Sequence, residues 1–179
     1  MKGFLDIETG GFSITKNGIC EIALIAVNHQ NEIFATFHTF IKPYTREEGS
    51  DELVSYKDDA MAINGLSVEK LIEEGIDVEV ATEQLYKFII QHGIIEIIGH
   101  NSKVFDFPRI KYLLQRFISV DLTPLINEDD TMLIAKQKLN LPSYKLEVLC
   151  AHFGIINTDS HTAKGDAKAT FELYKKLIA

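Results

Sequence analysis

The sequence predicts a single α/β domain built as a mixed sheet covered by helices. Three observations carry this. Short apolar, strand-like segments come first, at residues 3–7, 19–27 and 33–41. Helical patterns follow, interleaved with one further apolar strand at 94–98. The chain has 179 residues, 46% of them hydrophobic, enough to bury a core without staples. No repeat, low-complexity stretch or linker divides it, so residues 1–179 are read as one domain.

Residues 3–7 form a short apolar strand. It carries Phe4, Asp6 and Glu8 on one face and Leu5 and Ile7 on the other, and breaks at Gly10-Gly11. Residues 19–27 are apolar on both faces, as in a covered central strand. Glu21 is the exception there, and either a hydrogen-bonded sheet end or a place near a site accounts for it. His29-Gln30-Asn31-Glu32 reads as the turn of a hairpin whose second strand, 33–41, ends before Pro43. Residues 44–60 are polar and read as irregular. Ser67 is an N-cap, with Leu66 and Leu71 as its hydrophobic staple and Gly75 as the stop. Ala81, Leu85, Phe88, Ile89 and His92 share a helical face that ends at Gly93. After the buried strand at 94–98, Pro108 suits the first turn of a helix running to Phe117. Asp129-Asp130 caps a helix over 131–139. Leu146, Leu149, Cys150 and Phe153 mark another, closed by Gly154. The last helix spans 163–178.

Composition excludes several classes. Cys20 and Cys150 have neither metal-pair spacing nor a disulfide framework, which fits a reducing cytoplasm. Met1-Lys2-Gly3 leads directly into a strand without a secretory apolar region, and no apolar run reaches the length of a membrane span. The net charge of −8 argues against tight, sequence-independent duplex binding. It is compatible with a metal-dependent site, since two divalent ions would cancel about four of those charges. Simple solubility also explains it.

The chemistry-bearing residues fall in three clusters. Asp6 and Glu8 stand two apart on a strand, so their carboxylates emerge side by side and repel unless a cation lies between them. Hard cations with oxygen ligands, Mg²⁺ or Mn²⁺, suit that pair; an exposed acidic strand end is the plainer alternative. Thr9-Gly10-Gly11 allows a sharp turn and close approach to a ligand. Asp106 follows the turn at His100-Asn101, as a helix cap or as a carboxylate delivered from a second strand end. His161 and Asp166 are five apart, about 140° on a helix, so they cannot share a face. His161 is therefore placed in the loop before the helix and Asp166 in its first turns. A mobile imidazole titrating near neutrality suits a general base. His29, His38, His92, His100 and His152 read as ordinary surface or core residues, with His100 a candidate to shape the turn before Asp106.

Phe4-Leu5-Asp6-Ile7-Glu8-Thr9-Gly10-Gly11-Phe12, Gly99-His100-Asn101-Ser102-Lys103-Val104-Phe105-Asp106 and His161-Thr162-Ala163-Lys164-Gly165-Asp166-Ala167 resemble the three motifs of the DEDDh family of 3′–5′ exonucleases. Cys20-Glu21-Ile22-Ala23, Asp130-Thr131 and the stretch from Tyr144 to Ile155 also resemble it. The family includes the proofreading epsilon subunit of bacterial DNA polymerase III, ribonuclease T and oligoribonuclease. The resemblance implies a ribonuclease H-like fold with a five-stranded mixed sheet. It also implies two metal ions about 3.5–4 Å apart. Asp6 would bridge them, Glu8 and Asp166 would complete the site of the attacking water, and Asp106 would serve the leaving-group side. His161 would take the proton from that water, and the product would be a 5′-nucleoside monophosphate.

In similar nucleases, residues at the positions of Phe12 and Phe105 stack on terminal bases; core packing is the alternative, stronger for Phe105. Thr9, Asn101 and Lys103 complete the expected substrate contacts. Lys145, Lys164 and Lys168 are phosphate candidates or plain surface lysines. The expected activity is hydrolysis of single-stranded 3′ ends, DNA favoured, with a polymerase or other tether as partner and no membrane. Nothing in the sequence sets an oligomeric state. An RNA 3′-end-trimming exoribonuclease is the alternative, then a non-catalytic scaffold, against which four intact carboxylates and His161 speak.

Overall fold

A computed structural model describes residues 1–179. Five strands form one mixed sheet in the order β3-β2-β1-β4-β5. They are β1 (Lys2–Thr9), β2 (Ile19–Val27), β3 (Ile33–Phe40), β4 (Glu96–Gly99) and β5 (Asn127–Asp130). The β1–β2 and β2–β3 pairs are antiparallel, whereas β4 runs parallel to both β1 and β5. The mixed α/β class and the five-strand count are therefore as expected.

Seven helices accompany the sheet: α1 (Asp58–Asn64), α2 (Val68–Glu74), α3 (Val78–Gln91), α4 (Asp106–Ile118), α5 (Thr131–Lys138), α6 (Leu146–Phe153) and α7 (Ala163–Ile178). The alternation along β1 sorts its side chains between two layers. Leu5 and Ile7 join Leu24, Leu85, Ile89, Ile110 and Leu114 in the larger core under α3 and α4. Phe4 faces the other way and packs with Ile25, Ile98, Ala167 and Phe171 beneath α7. The Phe4 and Phe171 rings lie 5.0 Å apart. Burying a side chain of this size contributes about 1.5–3 kcal/mol. All nine residues of β2 are buried, as a doubly covered central strand requires.

Caps define several helix ends. The Ser67 hydroxyl accepts from the Lys70 N–H at 3.2 Å, and Leu66 and Leu71 share one small cluster. The Asp130 carboxylate accepts from the Met132 N–H at 2.9 Å and starts α5. Thr162 caps α7 by accepting from the Gly165 N–H at 3.1 Å.

Two elements depart from the sequence reading. Residues 44–60 are not wholly irregular, because α1 begins at Asp58 and turns Met61 and Asn64 inward. One apolar inward residue in seven gives no periodicity to detect. The resemblance implies a fifth strand, but nothing in the sequence locates β5, since Asn-Glu-Asp-Asp contains no apolar residue. It forms at the sheet edge by backbone pairing with β4, where charged side chains discourage further strand addition. In addition, α4 starts at Asp106, two residues before Pro108.

Candidate active site

The parallel β1–β4 pair brings the carboxyl ends of both strands to one edge of the sheet, where sites in α/β folds collect. Asp6 and Glu8 emerge there on the α7 side. Asp166 sits in the first turn of α7, where the helix dipole favours a carboxylate. Ala163 and Ala167 are fully buried small residues that let this end of the helix approach the sheet. As a result Asp6, Glu8 and Asp166 each offer an oxygen atom, and these atoms all lie within 4.8 Å of one another. Asp106 stands outside this trio but beside it. β4 pairs with β1 only as far as Phe4, and the Ile7 N–H beyond that point donates to Asp106 Oδ1 at 3.1 Å.

Burial raises all four carboxyl groups, and neighbouring carboxylates add to it. Burial, then the neighbouring Asp106, Asp166 and Glu8, hold Asp6 well above the usual carboxylate range. Glu8 is pushed up to about 8 by burial and by Asp166, Glu21 and Asp106. Burial lifts Asp106 to about 7, against the pull of the Ile7 N–H and Arg109. Asp166 is raised by burial, opposed by its bonds from Asn157 and the His161 N–H. Carboxylates this close together are stabilised in their charged forms by a cation, and an all-oxygen donor set suits a hard divalent ion. The residues present therefore fit such an ion.

His161 lies in the loop before α7, exposed, with φ +64°, and donates its backbone N–H to Asp166 at 3.4 Å. The imidazole thus belongs to the loop and Asp166 to the helix, as their five-residue spacing predicts. Gly165 permits this loop to fold back, because a Cβ there would run into the Asp159 carbonyl. His161, Asp166, Asn157, Cys150 and Leu146 line a cleft of about 420 Å³. Asn157 Nδ2 donates to Asp166 at 2.6 Å, a contact the sequence did not advertise.

The expected substrate residues lie at the end of β1 and in the segments that follow β1 and β4. Phe12 is 81% exposed. Its ring meets the half-buried Phe105 edge to face at 6.2 Å. Thr9 is buried, and its hydroxyl donates to the Gly11 carbonyl at 2.9 Å, so it shapes the turn. Gly11 has φ +147°, and Asn17 would lie 2.7 Å from any Cβ there. Asn101 adopts φ +59° and, like Lys103, donates its backbone N–H to Asp130, at 3.0 and 3.2 Å. His100 bridges Thr131 and the Tyr144 carbonyl, both at 2.9 Å, and so shapes the turn before Asp106. Glu21 is buried opposite Glu8. One of its oxygens contacts His38 Nε2 at 2.6 Å and the other accepts from the Ala163 N–H at 3.2 Å. Both readings left open for Glu21 are true together.

Residues 4–174 match the family described as Exonuclease, RNase_T. The chain belongs to this exonuclease family. Its members of this kind are DEDD-type 3′–5′ exonucleases of the ribonuclease H-like superfamily, and they depend on divalent metals. The exonuclease chain is 29% identical over 178 residues to a PolC-type DNA polymerase III of Thermotoga maritima, covering 97% of itself and 12% of that relative. Against the PolC-type DNA polymerase III of Clostridium perfringens it is 31% identical over 172 residues, covering 95% of itself and 11% of the relative. It thus spans only about an eighth of the curated relatives it matches. Among solved structures, E. coli exonuclease I with a dT13 oligonucleotide shares the fold at a TM-score of 0.79 and 19% identity. That match covers 98% of this exonuclease and 40% of the other chain.

Proposed function

We propose that this exonuclease hydrolyses phosphodiesters from single-stranded 3′ ends, DNA favoured, releasing 5′-nucleoside monophosphates. The observation that carries the reading is the convergence of Asp6, Glu8 and Asp166 from opposite ends of the chain, with Asp106 anchored between the first two at Ile7. Asp6, Glu8, Asp106 and Asp166 would hold two divalent ions, Mg²⁺ or Mn²⁺. When bound, these would neutralise the phosphodiester and make water a better acid. His161 takes the proton of the attacking water, a task its exposed loop position suits. Phe12 and Phe105 face the terminal bases. Thr9 and Asn101 shape the backbone on either side, and the exposed Lys103 meets phosphate.

DNA as substrate is supported by the names of the relatives, DNA polymerases and an exonuclease crystallised with dT13. The polymerase relatives also support a polymerase as partner. Residues 1–179 act as one exonuclease domain in this reading. Both cysteines are buried and free, and no helix is long and apolar enough to cross a membrane, which supports a cytoplasmic setting. Ladders of 5′-labelled DNA and RNA oligomers, with and without metal, test the reading. Stepwise shortening of DNA that requires metal is the expected result. Faster shortening of RNA would make the chain an exoribonuclease, and no shortening of either would leave a scaffold.

A further inference from the structure

Arg109 is buried on α4, yet it forms no ion pair. Burying a guanidinium is costly unless its donors are used. Here they go to two main-chain carbonyls from distant parts of the chain. One η nitrogen donates to the Phe105 carbonyl at 2.6 Å, one turn earlier on α4. The other donates to the Phe12 carbonyl, 97 residues away. The guanidinium also lies over the Phe105 ring, with Cζ 3.8 Å from the centroid.

The consequence for Phe12 is specific. Its side chain is largely exposed, and its ring meets Phe105 near a right angle with centroids 6.2 Å apart, so side-chain packing does little to hold it. It follows Gly10-Gly11, the most permissive backbone in the chain. An anchored carbonyl at Phe12 removes that freedom before any ligand arrives, which lowers the ordering cost of binding. A planar fork that donates to two acceptors while stacking on an aromatic face is arginine chemistry that lysine cannot supply.

We infer that Arg109 is a positioning residue that sets Phe12 and Phe105 as a preformed clamp for the bases at a single-stranded 3′ end. The inference rests on the exonuclease reading above and extends it to a residue outside the three motifs.

Steady-state kinetics on a single-stranded DNA oligomer with Mn²⁺ test it, using the parent chain, Arg109→Lys, Arg109→Gln, Phe12→Ala and the Phe12→Ala/Arg109→Gln pair. Arg109→Lys raises KM about tenfold, the lower range of one lost base stack. Its kcat stays within about threefold, because lysine keeps a positive charge near Asp106. The double variant has a KM well below the product of the two single losses, since Arg109 acts in part through Phe12. An unchanged KM in Arg109→Lys, or losses that add in the double variant, overturns the inference. So does failure of both Arg109 variants to give a cooperative melt, which would assign the residue to the core. A parent chain inert on the oligomer overturns the exonuclease reading itself and the clamp with it. Activity in the parent with no effect of Phe12→Ala overturns the clamp alone.

Discussion

Asp106 Oδ1 accepts the Ile7 backbone N–H at 3.1 Å, joining the start of α4 to the β1 residue between Asp6 and Glu8. A side chain that closes a backbone bond and carries a charge performs two jobs that substitution can separate. Asp106→Asn keeps an oxygen acceptor for Ile7 and removes only the charge. Asp106→Ala removes both and leaves a buried donor unmet, at about 1–3 kcal/mol. Both variants lose hydrolysis, but only Asp106→Ala is destabilised in urea titration. Equal stability of the two would show that the Ile7 bond contributes nothing.

Asp6→Asn removes one member of a repelling group whose metal-free form is destabilised by its own charges. Hydrolysis falls to background. The melting temperature in EDTA rises, by about 2–4 °C per kcal/mol of relieved repulsion for a chain of this size. A variant that melts lower than the parent would make Asp6 a structural residue.

Stability of the metal-free protein depends on pH with a defined sign. Glu8 at about 8 and Asp106 at about 7 lie above their unfolded values, so the folded state binds more protons. Stability is therefore full at pH 4 and falls as pH rises through 7 to 8. Thermal melts in EDTA at pH 5.5 and 8.5 should show the higher value at pH 5.5. Saturating Mn²⁺ should shrink or reverse the difference, because the ion takes the place of the protons. A metal-free melting temperature that climbs with pH would contradict the crowded site.

His161→Ala should slow hydrolysis by about 10²–10⁴, the usual loss of a general base, while the Mn²⁺ concentration for half-activation barely moves. An equal loss in both would reassign the imidazole to metal binding.

Phe12→Ala should weaken engagement of a single-stranded 3′ end by about 1–3 kcal/mol, read as a rise in KM with little change in kcat. Unchanged kinetics would return Phe12 to the list of incidental exposed side chains.

The sequence was most legible where one local rule decides. Alternation fixed the two faces of β1, continuous apolarity fixed β2, and Ser67, Gly75 and Gly154 marked helix ends. The five-residue step from His161 to Asp166 separated loop from helix correctly. It was least legible where a residue acts through distant backbone. β5 exists because β4 offers an edge, and nothing within Asn-Glu-Asp-Asp announces a strand. Nothing in the sequence singles out Arg109, because its acceptor at Phe12 lies 97 positions away. His38 was assigned to the surface or core, since its partner Glu21 sits on the neighbouring strand. Asn157 had no signal beyond its proximity to a motif. Apart from the nine-residue step of Asn157, these are long-range hydrogen bonds, which a local pattern cannot encode.

The carboxylate trio draws two members from β1 and the third from α7, the first strand and last helix of the fold. Synthesis delivers them at opposite times. A ribosome-bound chain halted before residue 163 can pair β1 with β2 but has no aspartate to close the pocket. The trio is therefore complete only once α7 has docked against β1 and β2.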